Sequence, residues 1–210
     1  MPSDQPAGVP SPKRQRRGLR RIESILDAAE EVIAEQGYDA TTTNQVAARA
    51  GISPGSLYQY FVNKAAIVEA LSRRYLSHLT EQSEGGVFVS GLGDLPHWEL
   101  VNRVVDPLLA FNLAHPAATS LLAGVDLSPE LAASTRELHT ALCDSVEILI
   151  GELAPARSAA ERQLAATMSI QIFASTLPAV MAASPRVRPL VVRELKAALG
   201  GYWEHIRSGG

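Results

Sequence analysis

One cysteine, Cys143, is all that the 210-residue chain contains. That excludes an intramolecular disulfide and a cysteine-rich metal cluster, and it makes a reducing compartment the natural expectation. Aromatic residues are scarce at 5%, whereas apolar residues reach 46%. The core must therefore be built mainly from Ala, Leu, Val and Ile, which suits packed helices and disfavours an all-β chain. No unbroken apolar run reaches the roughly 18 to 20 residues of a membrane span. The first twenty residues carry no apolar stretch between their charges and any cleavage site, so they do not read as a secretory signal. The expected location is the cytoplasm, with no membrane partner. Gly-rich phosphate loops, HExxH and carboxylate pairs in an apolar setting are all missing, so neither a metal nor a cofactor is expected.

What is present begins with a charge asymmetry. The chain's net charge is −3, but residues 1–22 hold Lys13, Arg14, Arg16, Arg17, Arg20 and Arg21 against Asp4 alone, a local +5 that leaves −8 for the rest. Arginines clustered at one end of an otherwise acidic chain suit a polyanion met locally, nucleic acid or an anionic surface. Residues 1–15 combine prolines with small polar residues and read as disordered, and order is expected to begin near Gly18. The expected organisation is a disordered basic arm over 1–17, a first folded unit over 18–64 and a helical remainder over 65–210.

From Gly18 the spacing of Ile22, Ile25, Leu26, Ala29, Val32 and Ile33 predicts an amphipathic helix, with Gly37 placed to close it. Two very short helical patterns follow, each with its own start and stop signals. Thr43 is positioned to cap TNQVAARA, whose buried face is Val46, Ala47 and Ala50, and Gly51 ends it. Ser53 is a second cap and Pro54 sits at the first helical position, where its missing N–H costs nothing. Two helices joined by Ala50-Gly51-Ile52-Ser53 make a helix-turn-helix, with Leu57 and Phe61 anchoring the second helix on the first.

The outer face separates a DNA-binding corner from a tight turn in an enzyme. With Leu57 and Phe61 inward, Pro54, Gly55, Ser56, Tyr58, Gln59 and Tyr60 lie outward or at the edges, with no acidic residue among them. Exposed phenols without neighbouring carboxylates suit phosphate oxygens. Asn63-Lys64 then opens another helix, whose free N–H groups and ammonium form an anion site.

The stretch TTTNQVAARAGISPGSLYQYFVNKAAIVEAL resembles the DNA-binding region of the TetR (tetracycline-repressor-like) family of transcriptional regulators. The resemblance covers about residues 20–76 and carries the family's Ala-Gly-Ile-Ser turn, its Gly-x-Leu-Tyr-x-Tyr-Phe core and the Asn-Lys that follows. Tyr60 stands where a His is also frequent. The resemblance implies that Thr43 and Asn44 meet phosphate and a base edge, that Pro54, Gly55, Ser56 and Tyr58 face the major groove, and that Tyr60 and Lys64 hold the backbone. Among these only Asn44 offers a two-point contact, to adenine, while Pro54 and the Ser56 methylene suit a thymine methyl. Arg16, Arg17 and Arg20, just ahead of the first helix, are placed to enter the neighbouring minor groove or track phosphates, acting mainly on affinity.

Beyond residue 79 a glycine-rich connection, SEGGVFVSGLGDLP, leads to helical patterns over 96–114, 117–125, 128–153, 159–183 and 186–207, two of them carrying internal prolines, Pro107 and Pro178, expected to kink or break them. The pattern over 159–183 is apolar nearly all round, and the last carries a stripe of Val191, Leu195, Ala198, Tyr202 and Ile206 with Trp203 adjacent. Both features suggest a pair of helices packing on a second copy, as the final two helices of the resembled family do. Asn112, His139, Cys143 and Gln171 sit on or beside buried stripes and are the candidates to line the effector cavity that the resemblance implies. The scarcity of Lys and Arg there favours a neutral or apolar ligand.

The expected fold is all-α: an amino-terminal three-helix helix-turn-helix domain and a helical ligand-binding and dimerisation domain. The expected function is a homodimeric, sequence-specific regulator of transcription on double-stranded DNA, a repressor relieved by a small molecule, and not an enzyme. Two alternatives stand beside it. One is an architectural DNA-binding protein with no effector; the 14 anions against 9 cations over residues 75–210 argue against coating DNA. The other is a cysteine-dependent enzyme using His139 and Cys143, four residues apart, which has no orienting third group or oxyanion loop.

Overall fold

The computed structural model describes residues 12–81, 91–122 and 128–209. Among these residues the chain forms nine helices and no strand: α1 Pro12–Ala40, α2 Thr43–Arg49, α3 Pro54–Tyr58, α4 Lys64–Glu81, α5 His97–Ala114, α6 Pro116–Leu122, α7 Pro129–Leu153, α8 Ala159–Ala182 and α9 Arg188–Arg207. The all-α expectation holds. Most of the glycine-rich connection and the end of the pattern over 117–125 lie outside the described residues.

Order begins earlier than Gly18. α1 starts at Pro12, because proline is at ease in a first helical turn and the following Lys, Arg and Gln are good helix formers that Gly18 alone does not offset. Arg16, Arg17 and Arg20 therefore stand on a helix and not on a flexible arm, while residues 1–11 fall outside the described part. At the other end Gly37, at φ 80° and ψ 168°, breaks α1 as its position suggested, and Tyr38–Ala40 form a short turn beyond it.

Neither Pro107 nor Pro178 breaks its helix. Both occupy exposed positions, where a carbonyl left without its main-chain donor can be hydrated. The sequence places an apolar stripe of Leu131, Thr135, Leu138, Leu142, Val146, Leu149 and Leu153 on α7; all of these are buried except Leu142, which is half-buried. On α9 the buried stripe is Leu195, Leu199, Trp203 and Ile206. Ala198 faces out, so the tryptophan belongs to the core of its own chain.

Two apolar clusters fill the molecule. The first joins α1 through α4 and continues into Phe111, Ala117, Ala118, Leu121, Leu131 and Leu138. The second is built by α5 and α7 through α9 around Leu100, Val105, Ile150, Leu177 and Trp203. The helix-turn-helix unit and the carboxy-terminal half therefore share a core. α8 is, by length and composition, apolar enough to cross a membrane, with mean hydropathy 1.5. The expectation that no such segment exists counted only unbroken apolar runs. α8 packs against α7 and α9, yet Leu164 (63% exposed) and Met168 point away from them, so it is buried on one side only.

Candidate nucleic-acid interface and internal cavity

The cap of α2 is Thr42, one residue ahead of the expected Thr43. Thr42 hydroxyl oxygen accepts from the Gln45 N–H at 3.3 Å, and Gln45 Oε1 accepts from the Thr42 N–H at 2.8 Å, a reciprocal box that Thr43, lacking a Glu or Gln three residues on, has no means to close. The turn follows at Gly51, φ 65°, a left-handed conformation that glycine adopts without steric cost. Ser53 then caps α3 by accepting from the Ser56 N–H at 3.2 Å. Leu57 and Phe61 are buried against α1, α2 and α4. Tyr58 is 50% and Tyr60 39% exposed, and the Tyr58 hydroxyl lies 3.1 Å from that of Thr43. That bond ties the first turn of α2 to the end of α3, so the two helices present one surface.

Asn44, Pro54, Gly55, Gln59, Tyr58 and Tyr60 are all exposed on that surface, and Thr43 and Ser56 are half-buried at its edges. Lys64 is placed differently from the expectation. Its ammonium donates to the Tyr38 carbonyl at 2.9 Å and lies 3.9 Å from the centre of the Tyr38 ring, so it fastens the turn after Gly37 to the start of α4. The N-terminal turn of α4 is capped from within as well, Asn63 Oδ1 accepting from the Ala66 N–H at 2.8 Å. Arg49 is likewise engaged, with Glu31 at 2.9 Å and Glu35 at 2.6 Å. By contrast, Arg16, Arg17, Arg20 and Arg21 are exposed. At 3.6 residues per turn these four fall within an arc of about 140°. They form a cationic stripe on the side of α1 turned away from the core.

The second site is an internal cavity of about 60 Å³, walled by apolar side chains of α5, α7, α8 and α9 with Leu79 of α4. As it stands that volume holds a few waters, so an organic ligand enters only by displacing side chains around it. Of the four predicted lining residues the structure brings two together, Asn112 and His139. Cys143 lies outside the cavity wall, and Gln171 faces outward from α8. Sequence reasoning missed Ser169 and Trp203, which line the cavity and bond to one another at 2.9 Å; a serine in an apolar helix was the available signal.

Two family models match the chain: bacterial regulatory proteins of the tetR family over residues 25–71, and the tetracyclin repressor-like carboxy-terminal domain over residues 95–205, more than half of the chain. The chain belongs to the tetR family. An HTH-type transcriptional regulator of Bacillus subtilis, YvdT, is 30% identical over 95 residues, 45% of this chain and 47% of that protein. The fatty acid metabolism regulator protein of the same organism is 40% identical over 60 residues, 29% of this chain and 31% of the relative. The chain thus spans 31 to 47% of the length of these relatives. Among solved structures, FadR of Bacillus subtilis in complex with stearoyl-CoA aligns with a TM-score of 0.59 at 20% identity, over 90% of this chain and 98% of that one. A TetR variant of Acinetobacter baumannii AYE in complex with minocycline gives 0.59 at 14% identity, over 89% and 96%. At these identities the likeness is one of fold.

The helices of this tetR-family chain meet at a polar hub that the sequence did not announce. Arg74 of α4 has a side chain only 13% exposed and bonds Asp27 at 2.6 Å and Glu30 at 2.7 Å, with Glu23 at 3.4 Å. The other Glu30 oxygen lies 2.7 Å from His115 Nδ1 at the junction of α5 and α6. Tyr75 packs edge-to-face on Phe111, ring centres 5.4 Å apart. The sequence read His115-Pro116 only as a helix break; nothing local to it reveals a carboxylate 85 residues away.

Burial is the main cause holding the His139 ring below the ordinary histidine value, with the Leu121 main chain acting the other way. The folded chain then binds fewer protons at this ring than the unfolded chain does below a pH of about 6.5. Its contribution to stability is present above that pH and is lost as pH falls from there toward the folded-state value. Between pH 8 and 5.5 the urea midpoint of a His139→Leu variant should fall less than that of the wild type; equal falls would exclude the effect. Burial, then Asp144 and Glu147, raise the Cys143 thiol above its usual value, the opposite of what a nucleophile requires. Iodoacetamide at pH 7.5 should alkylate Cys143 more slowly than free cysteine, and Cys143→Ala should bind DNA as the wild type does.

Proposed function

We propose that the protein is a homodimeric, sequence-specific DNA-binding regulator acting in the cytoplasm, a repressor released from DNA by a small molecule. The observation that carries this reading is the outward face of α2 and α3, where Asn44, Pro54, Gly55, Tyr58 and Gln59 project without an acidic neighbour from a short helix fixed at its base by Leu57. The DNA-binding unit ends near residue 64, and residues 65–210 bind ligand and dimerise.

Dimerisation rests on chemistry and on arithmetic. Leu164, Met168 and Leu190 are exposed on α8 and α9, an apolar face of the kind that partners cover. A single five-residue recognition helix touches too few base pairs for specific affinities of about 10⁻⁸ to 10⁻¹¹ M, whereas two, spaced about 34 to 36 Å apart, suffice on a palindrome. The effector reading rests on the cavity and on the ligands held by the two structural relatives, stearoyl-CoA and minocycline. α4 begins at Lys64 beside the DNA-facing unit and reaches the cavity through Leu79. A ligand that displaces α4 alters the separation of the recognition helices, with a coupling of about 1 to 3 kcal/mol.

Selection of bound sequences from a random DNA pool is the test. The expected product is a palindrome bound by two protomers and preferred over random DNA by about 10³-fold or more. A small preference with no symmetric motif would favour an architectural DNA-coating protein instead.

A further inference from the structure

The cavity wall carries few polar side chains, and among the described residues one of their buried atoms has no hydrogen-bond partner. The buried Asn112 amide donates to the Leu108 carbonyl at 2.8 Å, and its oxygen accepts from the Thr119 hydroxyl at 3.4 Å. Ser169 donates to the Ala165 carbonyl at 2.8 Å and accepts from the Trp203 indole at 2.9 Å. The remaining group is the buried Nε2 atom of His139, which has no hydrogen-bond partner among the described residues. Buried polar atoms are ordinarily paired, and an unpaired one in a cavity marks where a ligand's polar group belongs. Val104, Leu108, Phe111, Leu142 and Phe173 line the same cavity. Among the described residues no Lys, Arg, Asp or Glu lines the space.

We propose that His139 is the polar anchor of the effector, and that the effector is a neutral, mainly apolar molecule bearing a single hydroxyl that bonds to Nε2. The proposal rests on the cavity being the effector site. It is more specific than that reading because it names the atom and the chemistry. One free nitrogen is matched by one hydroxyl, which donates to an imidazole lone pair or accepts from an imidazole N–H. A primary amide or an ammonium brings further donors, and the oxygens nearest them, on Asn112 and Ser169, each already accept one hydrogen bond. An ionised carboxylate has no proton to give and meets no cation. Burial also disfavours protonation of the ring, so the site does not supply a positive charge of its own.

The test uses the full chain and matched pairs of probes: 4-butylphenol and 4-hexylphenol, each against its methyl ether, with octan-1-ol against octanoate. Binding is followed by calorimetry and by the emission of Trp203, which lines the cavity, whereas Trp98 is exposed. Each phenol is expected to bind the wild type at least ten-fold more tightly than its ether, and octanol more tightly than octanoate. In His139→Leu the preference for the phenol should shrink to within two-fold while the ether binds as before. If phenol and ether bind the wild type equally and both perturb Trp203, the cavity receives ligands but His139 is no anchor, and the proposal is wrong while the effector reading stands. Tighter binding of octanoate than of octanol likewise overturns it. If no probe binds or alters Trp203 emission, the effector reading of the cavity fails, and the proposal falls with it.

Discussion

A Gly55→Asp variant is expected to lose DNA binding by about 100-fold or more while keeping the stability of the wild type. Gly55 lies in the first turn of α3 on the exposed face, and a Cβ built there meets only the Ser53 hydroxyl, at 4.0 Å, with no unusual φ to resist a side chain. The helix tolerates the change, since a carboxylate near a helix N-terminus is favourable. The duplex does not. A fixed negative charge brought against phosphates costs several kcal/mol, and in the proposed dimer the contact is made twice. Fluorescence anisotropy with the selected palindrome measures the loss, and thermal unfolding by circular dichroism shows that the fold persists. Gly55→Ser, of similar bulk without charge, should retain most of the affinity. Binding of the aspartate variant within three-fold of the wild type would mean that α3 does not enter the groove.

Removing the Arg74 guanidinium should lower stability by about 3 kcal/mol, a substantial part of the 5 to 15 kcal/mol that holds a typical domain together. Arg74→Met keeps much of the side chain's volume but leaves Glu30, itself largely buried, with His115 as its remaining side-chain partner. Asp27 and Glu23 are exposed and lose little, because water replaces the guanidinium at both. The main cost is therefore the carboxylate stranded at the junction of α1, α4 and α5. Adding Glu30→Gln to Arg74→Met should restore about half of the loss, since a neutral amide is cheaper to bury than an unpaired charge. Urea unfolding of the two variants and the wild type decides the matter. A loss below 1 kcal/mol in Arg74→Met would show that the hub is ornamental to folding.

The parts of this molecule that depend on neighbours in sequence were legible from sequence. Ser53, Pro54, Gly51 and Gly37 each act within one turn of the chain, and the structure finds Ser53 and Pro54 opening α3 and both glycines at positive φ. The error at Thr42 arose within the same range: three consecutive threonines are equivalent as caps until the position of Gln45 is taken into account. What was not legible depends on partners distant in sequence. Lys64 looked like a free cation because the Tyr38 carbonyl that receives it comes 26 residues earlier. The sequence shows Trp203 only as adjacent to the α9 stripe, and its place in the core follows from Ser169, 34 residues earlier. Asn112 and Gln171 are both polar residues in apolar helices, and only packing decides that one faces the cavity and the other the outside.

Arg49 and Lys64 are the only cations between residues 43 and 64, and both are bound to their own chain. On the proposed reading this divides the work of DNA recognition along the molecule. The groove-facing helix has little charge to exchange with the duplex, so counterions displaced from the phosphates must be displaced chiefly by the arginines projecting from α1. Raising ionic strength then loosens the grip of α1 while leaving the pattern of preferred bases set by α3 nearly intact.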